Sequence, residues 1–396
     1  MPTLAELLAR KRLIEQKLRT MLGSERARKA ASDHHARRRP RPCGLTVHVV
    51  LGCTGRCAYC YITDMGVSYE EARPYALSPE ELTYAILVNK HFLPGRWGTY
   101  LALGSIGEPF HPLGARKTLN YIHTFTKYLG NPIQFSTKML TPEMAAEFSK
   151  YAKQPLSPLI TIVKLKAWKT LEPGALPPDT RFETIKALRK SGLYPSLFLR
   201  PVIPGINTDE LEDILREAKR AGAASVVIGG FRVTPLILNR LKQLGFDVSQ
   251  ILARVDKSKL APKVQVPVPL RDLKEHVASI AKEIGLIPLF NACCANTLSS
   301  YFSTGERVPC AGLCFTKGGA CSRCPVKCWE IEVKVDEEDV VRWARTLGGI
   351  EAKRVEVLPH KIVIRTDNPR HARNRLKRTP LRTLIETAYR RRLEVG

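Results

Sequence analysis

Acidic side chains are scarce in this chain: 37 Asp and Glu face 63 Lys and Arg, a formal charge of +26 over 396 residues. That excess goes beyond what solubility requires and predicts a polyanionic partner, of which nucleic acid is the commonest. Apolar runs of membrane-spanning length are missing, as are the apolar core and small-residue cleavage site of a secretory signal. These absences predict a cytoplasmic protein with no membrane partner. In a reducing compartment the 11 cysteines serve metals or redox chemistry rather than disulfides. Internal repeats are absent, and so are low-complexity tracts beyond the basic run that ends Arg37-Arg38-Arg39-Pro40-Arg41-Pro42.

The charge is uneven. Residues 1–42 hold 12 Lys and Arg against 4 Asp and Glu, and residues 369–396 hold 9 against 2. The two ends thus carry +15 of the +26, which favours a binding role over a uniform Lys/Arg bias. Residues 1–42 read as a basic N-terminal extension built on an amphipathic helix, with Leu4, Leu7, Leu8, Leu13, Ile14 and Leu18 at helical spacing.

Between 43 and 290, short apolar runs at 45–51, 99–103, 133–136, 159–163, 196–200, 224–228 and 287–290 alternate with helical patterns. That alternation predicts repeated β–α units and an α/β fold, a partial (β/α)6 TIM-like barrel with its functional loops at the strand C-termini. Ser78-Pro79-Glu80-Glu81 is a capping box with proline in the first turn, and Thr141-Pro142-Glu143 opens a helix in the same way. A cysteine-rich segment, 291–328, follows. The remainder, 329–396, reads as a small α+β module with a basic tail: strand 330–335, helix 339–347, strands 355–358 and 362–365, and a hairpin turn at Pro359-His360.

After the first apolar run comes Leu51-Gly52-Cys53-Thr54-Gly55-Arg56-Cys57-Ala58-Tyr59-Cys60-Tyr61. Three thiolates at C-x3-C-x2-C spacing can reach three corners of one cubane cluster, and the fourth ligand is missing. Closed structural sites want four protein ligands, so a compact set of three leaves a metal position for substrate. A zinc site completed by a remote residue is the alternative.

Cys53, Cys57 and Cys60, with the aromatic Tyr59 before the last cysteine, resemble the signature of the radical S-adenosylmethionine superfamily. The resemblance implies a [4Fe–4S] cluster whose open iron binds the amino and carboxylate groups of S-adenosylmethionine. An electron from a donor such as ferredoxin or flavodoxin then breaks a carbon–sulfur bond, giving a 5′-deoxyadenosyl radical. Cofactor-binding roles follow for Tyr59, for Gly107 and Glu108 of Gly104-Ser105-Ile106-Gly107-Glu108-Pro109, for Ser136 and Lys138, and for Arg200, whose guanidinium forks onto a carboxylate. Gly229-Gly230 would let adenine approach. Leu171-Glu172-Pro173, Arg181 and Arg200-Pro201-Val202-Ile203-Pro204-Gly205 are most similar to the spore photoproduct lyase-like branch. Those lyases carry a hydrogen-donating cysteine on the strand before the Gly/Glu motif, where this sequence has Leu101-Ala102-Leu103. The departure argues against the same repair reaction.

A second cysteine group comprises Cys293, Cys294, Cys310, Cys314, Cys321, Cys324 and Cys328. Cys310, Cys314, Cys321, Cys324 and Cys328 can supply an auxiliary metal centre, either a second [4Fe–4S] cluster, which the spacings favour, or zinc. Cys293 and Cys294 either join that centre or act as hydrogen-atom donors; Cys43 reads as a buried small hydrophobe. Three functions compete. The first is a radical enzyme modifying or repairing nucleic acid, with transfer RNA or other RNA favoured over DNA. The second is radical modification of a peptide or protein. The third is a non-catalytic, zinc-stabilised nucleic-acid-binding protein.

Overall fold

The computed structural model describes residues 1–41, 44–67, 69–310 and 324–396. Seven strands form one parallel sheet: β1 (Leu45–Val47), β2 (Leu101–Leu103), β3 (Ile133–Thr137), β4 (Leu156–Thr161), β5 (Ser196–Leu199), β6 (Ser225–Ile228) and β7 (Ile287–Leu289). They pair in sequence order, so each crossover returns the chain to the adjacent position. β1 and β7 are the two edges, and among the described residues no pairing closes the sheet into a full barrel.

Strand periodicity sorts the side chains. Leu45, Val47, Leu101, Leu103, Phe135, Leu197, Leu199, Val226 and Ile228 enter the main core with the helices Pro79–Val88, Ala115–Tyr128, Pro178–Lys190, Leu211–Arg220 and Arg271–Glu283. Leu159, Phe198 and Val227 point to the other face, where helix Ala292–Thr304 covers them through Ala295 and Leu298. Polar bonds fix that helix: Gln134 Nε2 donates to the Ala292 carbonyl (2.7 Å), and Ser299 Oγ to the Tyr194 carbonyl (2.9 Å).

Both expected caps are present. Ser78 Oγ accepts from Glu81 N while the Glu81 carboxylate accepts from Ser78 N, and Thr141 caps helix Pro142–Ala146. The 45–51 run is not one strand. His48 N donates to His35 Nε2 (3.0 Å) instead of continuing the ladder, and Val50–Gly52 pairs antiparallel with Ala72–Pro74. That exit aims the cysteine loop across the C-terminal ends of the strands.

Helix Leu4–Ser32, kinked at Gly23, bridges two cores. Leu18, Leu22, Ala27 and Ala30 join the main core, while Leu4 and Leu7 pack with Val340, Trp343, Leu384 and Tyr389 of the C-terminal module. In that module β8 (Arg354–Leu358) and β9 (Lys361–Arg365) form the expected hairpin. Two expectations are corrected. Residues 331–336 form no strand and run to the Asp336 cap of helix Glu337–Trp343. The basic tail is folded into two helices, Pro369–Arg378 and Leu381–Tyr389, and a third strand, β10 (Arg392–Val395), parallel to β9. No helix among the described residues is long and apolar enough to cross a membrane.

Candidate functional site

A cavity of about 660 Å³ opens at the C-terminal ends of the sheet. Cys53, Cys57, Tyr59, Cys60, Gly107, Glu108, Ser136, Lys138 and Arg200 all line it, so nine residues singled out from scattered sequence positions meet in one place. Cys293 and Cys294 do not line it; they lie on helix Ala292–Thr304 among other cysteines. Cys43, Cys314 and Cys321 lie outside the described residues.

The cysteine loop is held by its backbone. Tyr69 OH donates to the Cys57 and Cys60 carbonyls (3.0 and 3.2 Å), and Arg240 donates to the Cys60 carbonyl (2.6 Å) and to Tyr69 OH (2.8 Å). Ala58 N donates to the Leu171 carbonyl (2.9 Å) and Gly174 N to the Gly55 carbonyl (3.1 Å). Between those two anchors sits Glu172, which accepts from Tyr59 OH and from Arg181 (2.7 Å), with Glu172 and Arg181 at most 1% exposed. The segment Leu171-Glu172-Pro173 and Arg181 therefore buttress the loop. Tyr59 shows its ring to the cavity while its hydroxyl is committed to Glu172.

Gly55 leaves a cradle beside the thiols: a Cβ there would lie 3.1 Å from Cys53 Sγ and 3.9 Å from Cys57 Sγ. Among the described residues only His34, His35 and His48 bring three ligand atoms within 4.8 Å of one another. The three thiols are thus spread wider than the roughly 3.8 Å that Zn–S bonds of about 2.3 Å impose in a tetrahedral single-ion site. The set fits a larger cluster. Burial pushes the Cys53 thiol up to about 11 and raises the Cys57 thiol as well, so both hold their protons until a metal displaces them.

Glu108 is buried and accepts from Thr137 Oγ1, from Lys138 N (3.0 Å) and from Phe110 N (3.2 Å), so its carboxylate ties the Gly/Glu loop to the end of β3. Gly107 bridges Gly52, and a Cβ on Gly107 would meet the Val50 carbonyl at 2.4 Å. The glycine is what lets this loop touch the cysteine hairpin. Lys138 Nζ lies 5.7 Å over the Tyr59 ring. Burial alone would lower its ammonium, but the charges of Cys57 as a thiolate, of Glu172 and Glu108 and of Cys60 as a thiolate outweigh burial and hold it above its ordinary value. Arg200 is exposed to the cavity, and its stem fills the space beside Gly229, whose Cβ would strike Arg200 Cγ at 2.2 Å. It is Gly230 that faces the cavity.

Residues 47–218 match the sequence model of the radical SAM superfamily. The chain carries a radical SAM domain. In 219 residues, 51% of this chain and 44% of the relative, it is 26% identical to the radical SAM Nalpha-GlyT isomerase of Pseudomonas phage M6. It is also 24% identical over 204 residues to an uncharacterized protein of Acidianus two-tailed virus, covering 46% of this chain and 65% of the other. Each match spans less than two thirds of the relative. Among solved structures, spore photoproduct lyase complexed with dinucleoside spore photoproduct aligns at 13% identity and a TM-score of 0.44, over 60% of this chain and 71% of the lyase. Streptococcus suis SuiB bound to precursor peptide SuiA aligns at 16% and 0.40, over 69% and 54%.

Sequence reasoning missed part of the cavity lining. Arg38, Arg41, Arg56 and Arg232 also line it, as does Tyr61, whose OH donates to the Ser105 carbonyl (3.2 Å). Arg38 bonds His48 Nε2 (2.5 Å). Burial, followed by Arg38 and the neighbouring His35 and His34, pushes His48 down to about 3, so it stays neutral and can accept from the guanidinium. Pairing Arg38 with a histidine ten residues away has no sequence signature. Tyr69 and Arg240 likewise read as ordinary loop and helix residues.

Proposed function

We propose that Cys53, Cys57 and Cys60 hold a [4Fe–4S] cluster and that the chain is a radical SAM enzyme acting on nucleic acid. When bound, the cluster supplies reductive cleavage of S-adenosylmethionine to a 5′-deoxyadenosyl radical, which takes a hydrogen atom from substrate. Arg200 forks onto the methionyl carboxylate, the Gly104–Gly107 backbone accepts from the ammonium, Ser136 and Lys138 bind the ribose and carboxylate side, and Gly230 leaves room for adenine. Tyr59 and Glu108 hold the loops that carry these groups. A cytosolic ferredoxin or flavodoxin provides the electron.

One observation carries the choice of substrate. Among the described residues six cations, Arg38, Arg41, Arg56, Lys138, Arg200 and Arg232, line the cavity against a single carboxylate, Glu108, which is already hydrogen-bonded inward. Methionine's carboxylate needs one or two of them. The rest suit phosphates flanking a nucleotide brought to the cavity mouth.

The test is anaerobic reconstitution with iron and sulfide, then dithionite and S-adenosylmethionine, with RNA, DNA or peptide pools added. The reading expects 5′-deoxyadenosine, and deuterium transfer into it only from labelled nucleic acid. Transfer only from peptide would overturn the substrate assignment.

A further inference from the structure

The second cysteine group gathers at a place of its own. Cys293 and Cys310 are buried with Tyr100 in one small cluster, and Cys294 and Cys328 pack against it. Cys293 and Cys294 stand in the first turn of the 13-residue helix Ala292–Thr304, at the end of the helix dipole that favours negative charge. Tyr100, just before β2, donates or accepts with Thr297 Oγ1 of the same helix (2.7 Å).

Beside this group lies an arginine that no acid among the described residues pairs with. Arg390 is 2% exposed. Among the described residues its NH groups donate only to carbonyls, of Thr387 (2.6 Å), Trp97 (2.8 Å) and Gly98 (3.4 Å), and its Nε has no partner. The guanidinium lies 5.9 Å over the Tyr100 ring and shares with Cys328 the wall of a small cavity of about 20 Å³. A guanidinium keeps its charge in a protein, and burying one is costly unless a negative charge compensates it. Tyr100, under the guanidinium, packs directly on Cys293 and Cys310, and Cys328 shares the cavity wall, so the thiols are the groups placed to supply that charge. Thiols clustered in an apolar setting become thiolates when they ligate metal.

We propose that Cys293, Cys310 and Cys328, with Cys294 as the fourth thiol, ligate a second iron–sulfur cluster whose negative charge is balanced by the buried Arg390. A cluster suits the spacing better than zinc, because no three of these sulfurs fall within 4.8 Å of one another. Of the 310–328 run expected from the sequence, Cys310 and Cys328 enter this set, while Cys314 and Cys321 lie outside the described residues; the two cysteines of the helix join it, and Cys324 packs only on the adjoining cluster of Leu159, Val227 and Leu298, which Cys294 and Cys328 touch as well. The inference stands independently of the reaction proposed at the main cavity.

The experiment uses the full chain with Cys53, Cys57 and Cys60 all changed to Ala, isolated and reconstituted anaerobically. The expected result is about four iron and four sulfide per chain, as for one cubane, with a reducible cluster signal and no 5′-deoxyadenosine. Adding Cys310→Ser and Cys328→Ser should remove that iron, whereas Cys324→Ser should leave it. Arg390→Gln in the triple variant should keep the iron and shift the midpoint potential to more negative values, since a cation that favours the reduced state is gone. A triple variant that holds no iron, that holds one zinc instead, or that loses its iron with Cys324→Ser alone overturns the proposal.

Discussion

Glu172 is the residue on which the geometry of the cysteine loop most depends, because it binds both Tyr59 and Arg181 in a site closed to water. Truncating it strands a guanidinium whose Nε and second amino group already lack partners among the described residues. Glu172→Ala should therefore cost about 3–5 kcal/mol, the range for breaking one side of a buried ion pair, read from urea unfolding. A loss below about 1 kcal/mol, the worth of a surface pair, would show that Arg181 finds another partner. Arg200 invites a gentler change. Arg200→Lys keeps the charge and loses the fork, so the KM for S-adenosylmethionine should rise about tenfold, equivalent to about 1.4 kcal/mol, with kcat little changed. An equal fall in kcat would move Arg200 from cofactor binding to the chemical step.

Helix Leu4–Ser32 is the element whose chemistry is least ordinary for its position. Lys11 on it is 8% exposed and donates to the Asn89 and Phe92 carbonyls (2.5 and 3.0 Å), the end of the neighbouring helix. Burial pushes its ammonium down to about 8 from 10.5, with Glu15 opposing. Between those values the unfolded chain holds a proton that the folded chain has released, so raising the pH favours folding. Stability relative to Lys11→Met should thus climb from about pH 8 to 10.5; a flat difference would mean that Lys11 keeps its proton when folded. The elements were largely legible in the sequence. All seven apolar runs contribute strands to one sheet, because each is an apolar run bounded by turn or capping residues. Residues 331–336 did not become a strand, and β10 went unforeseen, because its Arg392 and Glu394 alternate with only two apolar side chains, Leu393 and Val395, and pairing with β9 decides its fate. The cysteine spacing picked out three residues that line the cavity. Its cationic wall was hidden, since Arg38, Arg41 and Arg232 come from segments that only the fold brings together.

At the scale of the molecule, the two basic ends meet. Leu4 N donates to Asp339 Oδ2 (3.0 Å), Tyr389 OH donates to the same oxygen (2.7 Å), and Leu4 and Leu7 share a core with Leu384 and Ile385. Residues separated by most of the chain thus share one core, with Arg370, Arg373, Lys377 and Arg378 exposed on one helix. If six cations of the two ends contact phosphates, affinity for nucleic acid should fall on the order of 10³-fold between 50 and 200 mM salt; a salt-independent affinity would remove the electrostatic argument. The central claim is that Cys53, Cys57 and Cys60 hold a cluster for reductive cleavage of S-adenosylmethionine. The direct measurement is 5′-deoxyadenosine formed by the iron-loaded, dithionite-reduced chain and by its Cys57→Ala variant. The account predicts product from the first and none from the second. Equal amounts from both, or none from a fully loaded native chain, would contradict it.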